Sequence, residues 1–176
     1  RSTHAISSAA SDVYKRQIPY KLSPLKIKCF EKNKKIKESL AFNDVSLIRS
    51  SSKIAKIKIE VNNKTRIEEF LGDGCLIATP AGSSAYNLSL RGPVIPVGAK
   101  VLALTPISPY RPRRWRGALL TNDPKITLYA IDSKLRPVRA EADFMQFENI
   151  DRLEIELEKK LFVNLLFDPG PVSYTH

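Results

Sequence analysis

Hydrophobic and polar residues alternate along several short stretches of the chain. Residues 53–61 (KIAKIKIEV) place apolar side chains on one face and mostly charged side chains on the other. This period of two is expected of a β-strand with one buried face. Asn62-Asn63 then predicts a turn, and residues 65–71 predict a returning strand. The apolar positions of the first strand are Ala55, Ile57, Ile59 and Val61.

Short apolar runs elsewhere in the chain predict further strands. They are bounded by glycine, proline or charged residues, and the 12 prolines along the chain argue against long helices. We therefore expect a mainly β, sandwich-like fold with one short helix. The additional predicted strands are residues 75–79, 101–105, 126–131, 153–157 and 161–167.

Residues 72–93 (GDGCLIATPAGSSAYNLSLRGP) break this pattern. A strand runs into a turn of small residues, a short helical stretch follows, and Gly92-Pro93 predicts its end. Ser83 or Ser84 is the predicted N-cap. Unpaired N–H groups at such a turn attract an anion or a ligand oxygen. From spacing alone, the sequence also agrees with an ordinary strand-to-helix turn that needs Gly82 for its backbone angles.

The charge of the chain favours an anionic partner. The formal net charge is +11, carried by 29 Lys and Arg against 18 Asp and Glu. Six lysines between residues 26 and 37 indicate either a phosphate-binding surface or a hairpin whose lysines protect a sheet edge. Residues 111–116 (RPRRWR) could stack on and neutralise a nucleic acid.

Several classes of chemistry are excluded by composition. The two histidines, His4 and His176, lie next to the termini, so the folded body has no Ser-His-Asp triad and no histidine zinc site. Cys29 and Cys75 do not make a disulfide framework, which favours the cytoplasm. No apolar run is long enough to span a bilayer. Neither G-x-G-x-x-G nor a Walker A motif occurs.

The ends of the chain differ from its body in composition. Residues 1–17 are rich in serine and alanine and have no sustained periodicity. We interpret residues 1–17 as a non-domain leader, residues 18–170 as one domain, and residues 171–176 as a non-domain tail.

Three segments resemble one known family, the bacterial NAD kinases. Residues 72–93 closely resemble the family signature, which reads roughly GDG, an apolar strand, then TP[TS]GSTAYxxSxGGP. Residues 40–49 (LAFNDVSLIR) are similar to the family's ALNEV strand. Residues 105–120 (TPISPYRPRRWRGALL) are similar to its later TPxxPhxxRP segment, in a basic form associated with alphaproteobacterial members. The segments occur in family order, and they indicate the C-terminal, β-rich NAD-binding domain.

The resemblance implies a phosphotransferase. NAD kinases transfer a phosphoryl group from ATP, or in some members polyphosphate, to the 2′-hydroxyl of the adenosine ribose of NAD, which gives NADP. It also implies NAD as substrate, ATP with a divalent metal (Mg) in the full-length enzyme, a homodimer or homotetramer, a cytoplasmic location, and neither membrane nor nucleic acid as partner. The family's GGDG motif, which bears the proposed base, is absent from the sequence. We therefore expect a part of the enzyme that supplies NAD binding, contains no catalytic residue or metal ligand, and is inactive alone.

The resemblance also assigns residues to the NAD site. Asn43 and Asp44 would hold ribose hydroxyls and an adenine edge, because an amide and a carboxylate together offer donors and acceptors. Asp73 would bind another polar part of the dinucleotide, and Asp143 could lie in a turn near the ligand or have a turn-capping role. Arg91 stands where the family usually has glycine. The resemblance also implies that residues 111–116 either pack at a subunit contact or lie near the substrate phosphates. The remaining predicted NAD contacts are Ser84, Ala85, Tyr86, Asn87, Leu88 and Ser89.

A basic, β-rich nucleic-acid-binding module is the alternative. It would use the lysine run and residues 111–116, with residues 72–93 as scaffold. This hypothesis explains the charge, but it does not explain why Asn43-Asp44 and the GDG…TPAGSSAY order occur together.

Overall fold

The computed structural model describes residues 18–121 and 123–167. The expected leader and tail, residues 1–17 and 171–176, lie outside the described residues. Helical structure in the described part is confined to a 3-10 turn (Gly82–Ser84) and a single helix, α1 (Tyr86–Ser89). The strands are β1 (Ile18–Leu22), β2 (Leu25–Glu31), β3 (Lys34–Ala41), β4 (Asp44–Arg49), β5 (Ala55–Val61), β6 (Lys64–Gly72), β7 (Gly74–Ala78), β8 (Val101–Ile107), β9 (Ala118–Thr121), β10 (Ile126–Ala130), β11 (Val138–Ala142), β12 (Met145–Phe147), β13 (Arg152–Leu157) and β14 (Val163–Phe167).

The strands form two antiparallel sheets of six strands and one two-stranded ribbon. The first sheet has the order β3-β2-β13-β10-β5-β6, and the second has the order β12-β11-β4-β7-β8-β9. Strands β1 and β14 pair only with each other, with Ile18 opposite Phe167. The predicted mainly β, sandwich-like fold with one short helix is confirmed. No helix among the described residues is long and apolar enough to cross a membrane.

The main core lies between the two sheets. Strand β5 shows how it forms, because its alternate residues from Ala55 to Val61 are buried while the residues between them are partly exposed. Ala55, Ile57 and Ile59 pack in one cluster with side chains of the second sheet such as Leu47 and Ile77. Burying each leucine or isoleucine side chain of this cluster contributes about 1.5–3 kcal/mol.

A smaller core covers the outer face of the second sheet. Leu76 and Ala78 of β7 point to this side and pack with Ile95 and with Ala103 of β8. Strand β7 is therefore buried on both faces, which explains its continuous apolar run. The cover is the segment that contains α1 and the loop after it, and this segment brings the predicted site residues onto the second sheet.

The lysine run forms the hairpin of β2 and β3. Strand β3 is the edge strand of the first sheet, and three lysines of the hairpin, Lys26, Lys28 and Lys35, pair with carboxylates. Nζ of Lys26 lies 2.8 Å from Oε1 of Glu38, and Nζ of Lys28 lies 3.4 Å from Oε1 of Glu156. This arrangement agrees with the interpretation of the run as protection of a sheet edge.

The ribbon of β1 and β14 presents apolar side chains to solvent. Ile18 is 46% exposed, and Leu166, which faces Pro19 at the same end of the ribbon, is 50% exposed. A cavity of about 480 Å³ lies between the ribbon and the body of the sandwich, and Tyr20, Phe42 and Leu102 are among the residues that line it.

Candidate functional site

The site begins at the corner between β3 and β4, where Asn43 and Asp44 lie. The carboxylate of Asp143 accepts hydrogen bonds from three successive backbone N–H groups at this corner. The N–O distances are 2.7 Å from Phe42, 3.0 Å from Asn43 and 3.3 Å from Asp44. Asp143 thus caps the turn that presents Asn43 and Asp44, which agrees with the second of the two roles predicted for it.

The turn after β7 packs directly against the same corner. The hydroxyl of Thr79 donates to the carbonyl oxygen of Phe42 at 2.6 Å, and it accepts a bond from the N–H of Gly82 at 3.1 Å. A side chain at Gly82 would meet the backbone of Asn43. Glycine is therefore required here because two backbones approach closely, and the two predicted segments form one contiguous corner.

Helix α1 presents a row of exposed side chains beside this corner. Tyr86 is 41% exposed and Leu88 is 42% exposed, and Ser84, Ala85 and Ser89 are exposed as well. These five predicted contacts are accessible from solvent.

The predicted serine cap is wrong. Helix α1 begins at Tyr86 with Ala85 at its N-cap position, and no side chain caps it. The hydroxyl of Ser83 instead donates to the carbonyl oxygen of Pro80 at 2.7 Å. The helix is a single turn of four residues.

Asn87 differs from the other predicted contacts because it is fully buried. Its Nδ2 donates to the carbonyl oxygens of Ser83 at 3.1 Å and Pro93 at 2.9 Å. Its Oδ1 accepts a bond from the hydroxyl of Thr105 at 2.6 Å. All three hydrogen bonds of the amide are therefore made within the protein. The Asn87 side chain lies beneath the exposed surface of α1.

Arg91 adopts a backbone conformation that favours glycine. Its φ is 61°, in the left-handed region. The arginine therefore occupies a backbone conformation that glycine adopts without a steric cost. Gly92 follows with no room for a side chain, because an added Cβ would meet the amide of Asn87.

Asp73 lies at the end of the second sheet where β6 passes into β7. Its carboxylate accepts a hydrogen bond from Nε of Arg49 at 2.6 Å, and both side chains are about one-third exposed. The backbone N–H of Arg49 also donates to the carbonyl oxygen of Asp73 at 2.9 Å. This pair holds the Asp73 carboxylate at the surface in a fixed direction.

Strand β11 adds polar groups that the sequence analysis did not single out. Nε of Arg139 donates to Glu141 at 2.7 Å, and Gln146 donates to the same carboxylate at 3.3 Å. Both Arg139 and Glu141 point away from the core, since Val138, Ala140 and Ala142 are buried. The alternation in VRAEA was the signal that could have identified them.

Electrostatics shows that these groups converge. Burial raises the pKa of Asp44 to about 6, and the carboxylates of Asp143 and Glu141 act in the same direction. Burial also raises the pKa of the Tyr86 phenol, with further contributions from Glu141, Asp44 and Asp73 that Arg139 partly offsets. The phenol is therefore within electrostatic range of Asp44 and Asp73.

The arginine-rich segment is anchored by its tryptophan. The indole of Trp115 meets the ring of Phe70 edge-on at 5.7 Å and packs against the main core. The four arginines between residues 111 and 116 are exposed. An indole held against the core has less surface to stack on a nucleic-acid base, so this geometry disfavours the binding-module hypothesis.

The described residues contain no group of three or more His, Cys, Asp or Glu that could hold a metal ion. The carboxylates of the site do not by themselves fit a magnesium ion, because Asp143 caps a turn and Asp73 pairs with Arg49.

Comparison with known proteins places these features in one family. Residues 42–138, more than half of the chain, match the family described as ATP-NAD kinase C-terminal domain. The chain is 47% identical over 154 residues to an NAD kinase of Xylella fastidiosa, which covers 88% of this chain and 60% of that protein. It is 44% identical over 149 residues to an NAD kinase of Hyphomonas neptunium, with 85% and 58% covered.

Solved structures share the fold. The crystal structure of yeast NADH kinase complexed with NADH superimposes with a TM-score of 0.78 at 21% identity, covering 93% of this chain and 48% of that one. An NAD kinase from Archaeoglobus fulgidus in complex with ATP gives a TM-score of 0.68 at 19% identity, with 94% and 60% covered.

The matched region contains most of the site described above. It includes the Asn43-Asp44 corner, the turn after β7, α1 and Asp73. The chain spans about 60% of the length of the curated relatives that it matches. The chain belongs to the NAD kinase family, and the matched part is the C-terminal domain of that family.

Proposed function

We propose that this chain supplies the NAD-binding part of an NAD kinase, which phosphorylates the 2′-hydroxyl of the adenosine ribose of NAD to give NADP. ATP, or polyphosphate, is the phosphoryl donor. Family membership supports the proposal, as do relatives named NAD kinase and the NADH and ATP named for the structures of similar fold.

The convergence around Tyr86 carries the proposal. An exposed aromatic ring stands on a short helix, and Asp44 and Asp73 are close enough to influence its phenol. An aromatic ring with a polar tip suits a planar base, and nearby carboxylates suit ribose hydroxyls. One surface of the second sheet thus offers both kinds of contact that a dinucleotide requires.

Each predicted residue has a distinct part in this proposal. Asn43 and Asp44 bind ribose hydroxyls and an adenine edge, and Asp73 binds a second polar part of NAD. Ala85 lets the ligand approach the backbone because its side chain is small. Hydroxyl and apolar contacts come from the exposed residues Ser84, Leu88 and Ser89.

Phosphoryl transfer needs groups that this sequence lacks. The reaction depends on positioning and on stabilising charge around the transferred group. The sequence contains no GGDG motif, and its described residues form no metal cluster. We therefore expect this chain to bind NAD without making NADP. In the complete enzyme, ATP would be accompanied by Mg²⁺, and the protein would be a cytoplasmic dimer or tetramer.

Isothermal titration of the chain with NAD tests the binding proposal. We expect saturable binding that weakens by roughly tenfold or more, equivalent to about 1.4 kcal/mol, in Tyr86→Ala and in Asp73→Ala. Tyr129→Ala, on the first sheet, is the matched tyrosine control and should bind NAD like the parent chain. A DNA oligonucleotide that binds tightly with a steep salt dependence, together with no response to NAD, would favour the nucleic-acid-binding alternative.

An activity assay tests the expectation that the chain binds NAD without making NADP. With ATP, Mg²⁺ and NAD present, the chain should form no NADP. Turnover at about 1–100 per second, which is usual for kinases, would contradict the proposal that the catalytic apparatus is incomplete.

A further inference from the structure

Three buried polar residues lie beneath the exposed surface of α1. Ser83 and Asn87 are fully buried, and Thr105 of β8 is 1% exposed. Burying polar groups is costly unless they are hydrogen-bonded, and each of these three has a bonded partner inside the protein. The first two belong to the helical segment, and the third belongs to the sheet on which the segment rests.

Helix α1 cannot hold its shape alone. Four residues complete one turn, and isolated helices shorter than about 12–15 residues are marginal in water. Its conformation and its direction on the sheet must therefore be imposed from outside the helix. The candidates are packing by Leu90, which contacts the smaller core, and the buried polar contacts.

The Asn87 amide joins three parts of the site at one point. Both of its N–H groups donate, to Ser83 at 3.1 Å and to Pro93 at 2.9 Å, so it closes the segment around itself. Its Oδ1 accepts from Thr105 at 2.6 Å, which ties the closed segment to β8. A planar amide that is bonded in three directions fixes the rotation of α1 about its own axis, which apolar packing alone leaves free.

Ser83 and Gly92 complete this arrangement. The Ser83 hydroxyl donates to Pro80 at 2.7 Å and accepts from the N–H of Ile95 at 2.9 Å, so it bridges the start and end of the segment. The backbone N–H of Gly92 donates to the carbonyl of Asn87 at 2.8 Å. An added Cβ at Gly92 would meet the Asn87 amide, so the backbone at Gly92 packs directly against this side chain.

We propose that Asn87 and Thr105 are positioning residues that set the affinity for NAD without touching it. Their hydrogen bond anchors α1 to β8 and so fixes the directions in which Tyr86 and Ser89 face the ligand. This inference rests on the proposed NAD-binding function. It also changes the expected role of Asn87 from ligand contact to support, because its side chain has no exposed surface.

Substituting Thr105 by valine or by serine distinguishes the contribution of its hydroxyl group from that of its methyl group. Thr105→Val keeps the shape but leaves Oδ1 of Asn87 without a donor, whereas Thr105→Ser keeps the donor. We expect the dissociation constant for NAD, measured by titration and corrected for the folded fraction, to rise roughly tenfold in Thr105→Val and less than about threefold in Thr105→Ser. Thr127→Val, a buried threonine of the first sheet, is the matched control and should bind NAD normally.

The ring resonances of Tyr86 give a readout that does not require NAD. They are identified among the six tyrosines by comparison with Tyr86→Phe. We expect these resonances to shift in Thr105→Val and to return to the parent positions in Thr105→Ser. If Thr105→Val does not fold, Thr105→Ala replaces it, since the smaller side chain adds no overpacking and the same loss of affinity is expected.

The outcomes distinguish the two proposals. A folded Thr105→Val chain with parental NAD affinity would overturn the positioning role, while loss of binding in Tyr86→Ala would leave the proposed function in place. The positioning role would also be overturned if the apparent affinity for NAD in every variant changed only in proportion to the fraction of folded chain. A parent chain that binds no NAD would overturn the proposed function, and the positioning role with it.

Discussion

The carboxylate of Asp143 accepts a hydrogen bond from the backbone N–H of Asn43 at 3.0 Å, although the two residues are 100 positions apart in the chain. Phe42 and Asp44 donate to the same carboxylate. In return, the N–H of Asp143 donates to the carbonyl of Asp44 at 3.2 Å. The two turns therefore hold each other, and the orientation of the predicted ribose-binding pair depends on a residue from a distant hairpin.

Asp143→Asn tests this mutual support. The substitution keeps the side chain's shape and tolerates the left-handed φ of 49°, but it removes the charge and turns an amide N–H₂ toward backbone donors. We expect the free energy of unfolding to fall by about 1–3 kcal/mol, measured by urea denaturation.

Asp123→Asn is its matched control. Asp123 has the same φ of 49° but forms an exposed pair with Lys159 at 3.0 Å. Its substitution should change stability by less than about 1 kcal/mol. Equal losses in the two variants would contradict the capping role of Asp143.

Gly82→Ala should be strongly destabilising. A methyl group there would meet the backbone of Asn43, which cannot move without separating the two halves of the corner. We expect a loss of at least about 2 kcal/mol in the free energy of unfolding. Ser84→Ala, in the same 3-10 turn but exposed, should change it by less than about 0.5 kcal/mol. A stable Gly82→Ala chain would show that the close approach is not required.

Arg91→Gly should stabilise the chain. A left-handed conformation costs a non-glycine residue about 1–2 kcal/mol, and the greater flexibility of glycine in the unfolded chain offsets part of the gain. We expect a net increase of about 0.5–1 kcal/mol in the free energy of unfolding, measured by thermal or urea denaturation. Arg116→Gly, at an exposed position without positive φ, should give no increase. A gain in both variants would mean that φ is not the cause.

Asp44 should make stability depend on pH. Burial raises the pKa of this carboxyl from 3.8 to about 6, so the folded chain binds the proton more tightly than the unfolded chain does. Its contribution to stability is therefore favourable below pH 4 and is lost as the pH rises through 6. Asp44→Asn removes this dependence. We expect the stability of the variant relative to the parent to increase by about 1–2 kcal/mol between pH 4.5 and 7.5, allowing for solvent screening.

Glu38→Gln provides the comparison for that titration. Hydrogen bonds from Lys26 and Lys35 hold the pKa of Glu38 at about 2, below the range studied. Its difference from the parent chain should therefore stay nearly constant between pH 5 and 7.5. A constant difference for Asp44→Asn as well would contradict the raised pKa.

The strands could be predicted from the sequence wherever one face is buried. Residues 53–61 and 65–71 were predicted as a strand and its return, and β5 and β6 occupy Ala55–Val61 and Lys64–Gly72. A period of two is a local property, so the chain reveals it without knowledge of its partners. The same alternation in residues 138–142 indicates β11, and with it the outward side chains of Arg139 and Glu141.

The details of the site could not be predicted in this way. Ser83 has the composition of a helix cap, but its hydroxyl bridges Pro80 and Ile95 because the loop after α1 folds back over it. Asn87 turns inward because Thr105 of another strand offers it a donor. Such choices depend on which segments the sheet brings together, and that information is not contained in the spacing of one motif.

The pairing of Ile18 with Phe167 has a consequence for circular permutation of the domain. Facing residues of two antiparallel strands lie about 5 Å apart, so a few glycines could join these positions into a closed ring. New termini could then be opened at Asn62-Asn63, the tight turn between β5 and β6. Every strand would keep its neighbours, and the proposed NAD-binding surface on the second sheet would be untouched by the change in chain order.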